Sequence, residues 1–488
     1  MTVMRLQKPV AVLVAFLAVC AACGNGDAEQ EVDRGSRAEP SSTAAAGGLG
    51  PREIPATIVD LEVDAFPRPA DEACLDNTTV VEVAVGESIA AALEVTEPGT
   101  TIAVSAGTYV EHPGEWVALE ADTDDLCLRA VGGEVVLEAA SDQRRGISLT
   151  GDDMVIDGLV LRGFETGIAV DGRDRETQRA LTIEDTRIEE LVGEFREGIV
   201  VFAEPSDPVT AVLDGLLLLG VEVEGTDLGV SCNVGPCEHV WVERTRIAGR
   251  AGSGDSGADA LAIEEGRQIV VVDSVVEGAP ADGIDTKASD VVVLGCQLFD
   301  LGRNGVKLWR GGDVINTIID GSGADASIVG EEPGRYRYLH TLVAHHGDPG
   351  ETPFVGTWSY DTPSTEITIE IVNSIFYQNS PGGFFVPDDA AVSIRNSIFH
   401  GAPGDTMLDV GQGASYTLAD LDELEDAGFG VGNVVADPGL VDPAGRDFST
   451  DASSPARDAG EEIDGLDTDA TGSDRVRGTA PDIGPVES

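Results

Sequence analysis

Ala281-Asp282-Gly283-Ile284-Asp285-Thr286-Lys287 and Asn304-Gly305-Val306-Lys307-Leu308-Trp309 are two copies of one motif, and a weaker copy precedes them as Asp259-Ala260-Leu261-Ala262-Ile263. Asp259 and Asp282 are 23 residues apart, and Asp282 and Asn304 are 22 apart. Repeats of this length, each one supersecondary unit, define a solenoid. A second pattern keeps the beat, a small or polar residue before a pair that is apolar except at Gln297: Ser274-Val275-Val276, Cys296-Gln297-Leu298, Thr317-Ile318-Ile319, Ser374-Ile375-Phe376 and Ser397-Ile398-Phe399.

Each repeat holds short β-branched runs such as Ile269-Val270-Val271-Val272 and Val291-Val292-Val293-Leu294, bounded by Gly, Asp and Asn. These are strands separated by turns. Helical periodicity is scarce, which excludes repeats that need a helix per unit. Two or three short strands per coil make an all-β, single-stranded parallel β-helix, right-handed by the rule for parallel crossovers. Near its start, Ser88 before Ile89-Ala90-Ala91-Ala92-Leu93 reads as an N-cap and a short apolar helix that plugs the open end. The run Pro98-Gly99-Thr100 to Gly107-Thr108-Tyr109 resembles the opening coil of the pectate-lyase-like β-helix superfamily. Asp437-Pro438-Gly439, Ser454-Pro455-Ala456, Asp458-Ala459-Gly460 and Asp482-Ile483-Gly484 resemble a closing segment common in bacterial proteins of that fold.

Residues 1–23 read as an export signal, with Arg5 and Lys8 before an apolar run too short to span a bilayer. Cys20-Ala21-Ala22-Cys23-Gly24 resembles a bacterial lipobox, which implies lipidation of Cys23, a cell-envelope lipoprotein or plain secretion, and membrane contact only through that anchor. Residues 24–52 read as a flexible linker, 53–435 as the β-helix and 436–488 as its closing segment. Export permits disulfides. Cys232 and Cys237 close a small loop, Cys74 and Cys127 could pin the N-terminal cap, and Cys296, in an apolar strand, reads as a buried thiol. Zinc is disfavoured, because there is no C-x-x-C pair among these cysteines and the histidines are scattered.

With 88 acidic against 30 basic residues, the formal charge of −58 excludes nucleic acid as a partner. An acidic polysaccharide would need a bridging cation, and Ca²⁺ suits carboxylate ligands. A monomer is expected. Lysine is rare: Lys8, Lys287 and Lys307 are the three in the chain. Arginine stays protonated whereas lysine can be made neutral, so a chain that otherwise writes its cations as Arg reserves Lys for proton chemistry.

Stacked coils lie about 4.8 Å apart, which puts Asp259, Asp282 and Asn304 in one column and Ala262, Asp285 and Lys307 in another. Alternation points Leu261, Ile284, Val306, Thr286 and Leu308 inward and Asp285, Lys307, Lys287 and Trp309 outward. Aspartates in adjacent rungs repel unless a cation intervenes, although Asp and Asn at turns also satisfy backbone groups. The pair of motifs resembles the active-site stretches of the family 9 polysaccharide lyases, with Ala281 where that family has its first aspartate and Ile284 and Val306 in place of aromatics. Carried over by position, the resemblance implies Asp259, Asp282 and Asp285 as Ca²⁺ ligands and Lys307 as the base that removes the C5 proton of a uronic acid before β-elimination. A solvated surface charge is the plainer reading of Lys287.

Trp309 and Arg310 follow Lys307, and Arg335-Tyr336-Arg337-Tyr338 with His340, His345 and His346 forms a basic, aromatic stretch. Arg310, Arg335 and Arg337 could pair with uronate carboxylates and Trp309 could stack on a sugar, or the Arg/Tyr alternation could be ordinary cross-strand packing. Asn316, Asn373 and Asn396 read as a turn ladder. Three function classes follow: a calcium-dependent polysaccharide lyase on a pectate-like polymer, a non-catalytic surface protein binding glycans or partners, and a β-helix hydrolase or epimerase.

Overall fold

Strands of three to eight residues recur between residues that tolerate left-handed backbone, and the computed structural model stacks them into a right-handed parallel β-helix. It describes residues 51–488 apart from 113–114, 142, 172–175, 203–211, 233–234, 251–257, 324–327, 331, 346–354, 358–365, 380–382 and 412. The signal, Cys23 and nearly all of the linker lie outside the described residues, as does His346.

A middle coil shows the plan: strand Ile284–Thr286, then Ser289–Leu294, then Gln297–Phe299, followed one coil later by Val306–Leu308, Gly312–Ile315 and Ile318–Asp320. The first strand of each coil joins a 13-stranded sheet and the other two join a 25-stranded sheet. Pairing is parallel and in register with the repeat: Ile284 opposite Val306, Val292 opposite Asp313, Gln297 opposite Ile318. Leu261, Ile284, Val306 and Leu308 are at most 1% exposed and belong to the aliphatic core that runs through the coils. Burying each such side chain contributes about 1.5–3 kcal/mol, so the stack is held by its interior.

Between the second and third strands the chain turns through positive φ at Asp273 (47°), Gly295 (68°), Asn316 (51°), His340 (49°), Asn373 (52°) and Asn396 (46°). Asn and Asp tolerate this region best among residues with a Cβ. The asparagines are therefore turn residues, and they also carry the C-terminal segment. Asn316 Nδ2 donates to Thr468 O (2.8 Å), and Asn373 Nδ2 to Glu461 O (2.8 Å). Ala456, Phe448 and Ile483 pack on the outward Ile318, Leu342 and Ile375. Much of the segment after residue 436 thus lies along the outside of the large sheet instead of adding coils.

Both ends are capped. Helix Ile89–Leu93 buries Ile89, Ala90, Ala92 and Leu93, and Ser88 Oγ accepts from Ala91 N at 3.0 Å. At the far end, helix Leu421–Asp426 inserts the fully buried Leu424, a cap that the repeat pattern did not announce. The chain from Arg52 to Pro69 is a strap along the large sheet. Arg52 Nη1 binds Asp273 Oδ1 (2.6 Å), Glu62 N binds Gln268 Oε1 (2.9 Å), and Arg68 O accepts from Thr182 Oγ1 (2.8 Å). Disulfides join Cys74 to Cys127 (Cα–Cα 5.9 Å) and Cys232 to Cys237 (Cα–Cα 6.4 Å). Cys296 is free and buried, and burial pushes its thiol up to about 12.

Candidate active site

The Asp282-Gly283 step that opens the motif has a steric reason. A Cβ on Gly283 would lie 2.7 Å from Gly305 O and 2.9 Å from Leu298 Cδ2, so the approach of the next coil demands glycine at this position, although Ala260 occupies the equivalent place one coil earlier. The strand that follows then sets Asp285 directly opposite Lys307, with Ala262 opposite Asp285 one coil back.

Each carboxylate before the strand links its coil to the next. Asp259 Oδ1 accepts from Asp282 N (2.9 Å), and Asp282 Oδ1 accepts from Asn304 N (3.0 Å) and Asn304 Nδ2 (2.8 Å). That is the turn role open to any Asx column, and it uses one oxygen of each. The other oxygen of Asp282 and one oxygen of Asp285 converge on one cation: Lys307 Nζ donates to Asp282 Oδ2 (3.0 Å) and Asp285 Oδ2 (2.8 Å). Asp282, Asp285 and Lys307 point away from the core yet are largely covered, with side chains 1%, 7% and 13% exposed. Asp285 Oδ1 is buried without a hydrogen bond.

The electrostatics follow from that crowding. Burial, then the neighbouring Asp282 charge, pushes the Asp259 carboxyl up to about 6. Burial also raises Asp285, with the Lys307 charge opposing it. For Lys307, burial pulls the ammonium down, but Asp282 and Asp285 outweigh it and hold the group above its ordinary value. As it stands, the amine is protonated.

Asp259, Asp282 and Asp285 each bring a carboxylate oxygen within 4.8 Å of the others. The set is all oxygen, which suits a hard cation of the calcium type, and the orphaned Asp285 Oδ1 is an acceptor awaiting a partner. The residues present fit such an ion. Ala281, where a further carboxylate would add a ligand, is fully buried and donates its N–H to Ala258 O (3.1 Å).

Trp309 joins the cluster: Lys307 Nζ lies 5.7 Å and Lys287 Nζ 5.2 Å from its ring, and its indole N–H is buried without an acceptor. Lys287 is ion-paired to Glu264, so it is not simply a solvated charge. Glu264 escaped the sequence reading, although its spacing of 23 from Lys287 was the available signal. Arg310 pairs with Glu332 (3.0 Å) and the exposed Arg335 with Glu370 (3.5 Å), near the turn from the small sheet to the large one.

Arg337 is a correction. It is 7% exposed on the large sheet, bound to Asp313 (Nε to Oδ1 2.7 Å) and to Ile58 O of the strap, so it holds the fold and is closed to substrate. Alternation turns Arg337 outward, since Tyr336 and Tyr338 fill the core from the same strand, and it is the strap that covers it. His340 is likewise fully buried, its Nδ1 3.0 Å from Gly484 O, and His345 pairs with Asp320 at 2.6 Å.

No protein-family model matches the chain, and no curated protein sequence matches it. Solved structures do. Pectate lyase Pel9A is 13% identical over 85% of this chain and 98% of its own, with a TM-score of 0.44. The A-module of the mannuronan C-5 epimerase AlgE4 of Azotobacter vinelandii is 14% identical over 69% of this chain and 88% of its own (TM-score 0.36). A mannuronic-acid-specific polysaccharide family 6 lyase from human gut microbiota is 9% identical over 74% and 92% (TM-score 0.37). At such identities the likeness is one of fold, and a shared fold does not say which bond is broken.

Proposed function

We propose that this protein is a calcium-dependent polysaccharide lyase that cleaves a uronic-acid polysaccharide by β-elimination. The observation that carries the reading is the convergence of Asp282 and Asp285 on Lys307, with Asp259 beside them and one buried carboxylate oxygen unpartnered. Lysine is the one cationic side chain here that can become a neutral amine, and its two partners are also the residues that would hold a cation.

Asp259, Asp282 and Asp285 would hold a cation, which when bound would neutralise charge at the uronate carboxylate and oppose protonation of the nearby amine. Lys307 Nζ takes the C5 proton. The C–H electron pair becomes the C4–C5 double bond, and the C4–O bond breaks with its pair leaving on oxygen. Trp309, whose ring lies 5.7 Å from Lys307 Nζ, contacts sugar rings in this reading, and Arg310, its neighbour in the chain, and Arg335, one coil on, contact carboxylates. The doubly paired Lys307 also favours a second reading, a glycan-binding protein in which the cluster is static.

Absorbance of the unsaturated uronate in the ultraviolet separates the two. With a panel of acidic polysaccharides the lyase should produce it only when calcium is present. A chain that binds one of these polymers and never generates the chromophore is the binding protein instead.

Calcium affinity should rise as pH is raised through about 6, because the Asp259 proton held up to that pH competes with the ion. Calorimetric titrations on either side of pH 6 check this, and equal affinities would remove Asp259 from the ligand set. Export and lipidation at Cys23 are part of the same proposal. Cys23→Ser should move the protein from the membrane to the soluble fraction, since the anchor is lost while the β-helix is untouched. An unchanged membrane fraction points to another attachment.

A further inference from the structure

His239 lies away from the Lys307 cluster, on strand Cys237–Glu243 of the large sheet, with φ 52° and 3% exposure. Its Nδ1 is 2.6 Å from Asp214 Oδ1 in the preceding coil. With the Nδ1 proton donated to that carboxylate, Nε2 carries a lone pair. Nε2 is buried, makes no hydrogen bond, and faces Glu62 Oε2 of the strap at 3.4 Å. The other oxygen, Glu62 Oε1, accepts from Arg267 Nη1 (2.9 Å), and Arg267 Nε donates to Glu238 Oε2 (3.1 Å). Phe66 closes one side, its ring edge-on to the imidazole at 5.6 Å.

A lone pair aimed at a carboxylate is repulsive unless a proton or a cation stands between them. The separation leaves room for such a cation. An N–H···O bond spans about 2.7–3.2 Å, whereas two ligands of a tetrahedral zinc, each about 2.0–2.1 Å from the metal, stand about 3.3–3.4 Å apart. A histidine whose remote N–H is held by a carboxylate is also the arrangement that orients metal-bound imidazoles. Asp214, Glu238 and His239 place donor atoms within 4.8 Å of one another.

We propose that His239 Nε2 and Glu62 Oε2 bind a divalent transition metal of the zinc class, with Asp214 positioning the imidazole and water completing the shell from the open side of Glu62, whose side chain is 60% exposed. The bound metal clasps the N-terminal strap to the coils. It is a second cation site, with nitrogen among its ligands and therefore a different metal preference from the all-oxygen cluster near Lys307.

The test is titration of the metal-stripped full chain with Zn²⁺, followed by calorimetry and by the thermal midpoint. Wild type should bind one equivalent through this site and melt higher with zinc. Glu62→Gln, at an exposed side chain that leaves the fold intact, should abolish both effects, as should His239→Gln, while Asp214→Asn should weaken binding by about 10–100-fold. Zinc held by the aspartates near Lys307 would survive in Glu62→Gln. Failure of wild type to bind zinc, or unchanged binding and unchanged stabilisation in Glu62→Gln, overturns the proposal and leaves a histidine–carboxylate contact.

Discussion

Lys307→Arg is expected to lower β-eliminative turnover by about 10²–10⁴-fold, the range attributed to a positioned general base, while the protein stays folded. Arginine keeps the positive charge that Asp282 and Asp285 surround at 3.0 and 2.8 Å, so the ion pairs that hold these coils together have a substitute. What it cannot supply is a neutral nitrogen at any pH of interest. Initial rates from the ultraviolet absorbance, beside a thermal melt, give the two readouts. Lys287→Arg is the control: that residue is paired to Glu264 and lies over the Trp309 ring, interactions that arginine can make, and its rate should stay close to wild type. An active Lys307→Arg enzyme with a normal melt would exclude Lys307 as the base.

Asp282→Asn should destabilise the coils around the site by about 3–5 kcal/mol, the cost of breaking a buried ion pair from one side. Three donors converge on this carboxylate, Asn304 N and Nδ2 on one oxygen and Lys307 Nζ on the other, and the residue is 1% exposed. An amide offers one oxygen, so its NH₂ must face either the Asn304 donors or the ammonium. Because a solenoid unfolds in segments, the effect is best read as lost hydrogen-exchange protection across residues 281–309. Unchanged protection there would mean that Asp282 is not the junction that these distances describe.

The coil period, the strand positions and the column of Asp259, Asp282 and Asn304 were all legible in the chain, because side chains in a stacked parallel sheet repeat with the coil and alternate in direction. Glu264 was legible by the same rule, one step beyond the motif.

Arg335 and Arg337 show where that rule stops. Both are outward positions of one strand, yet Arg335 is exposed and Arg337 is sealed beneath Ile58. Nothing local to the strand distinguishes them. The difference comes from the strap, a segment 279 residues earlier that lies over one and not the other. The same holds for His239, which looks in sequence like one scattered histidine and is made a candidate ligand by Glu62, and for His340, buried by the C-terminal segment. Period and alternation belong to each residue and its neighbours in the coil, so the sequence by itself determined the β-helix and the face that carries Lys307. Which outward side chains meet solvent depends on what the two termini cover, and because those contacts join residues hundreds of positions apart, only the tertiary structure decided them.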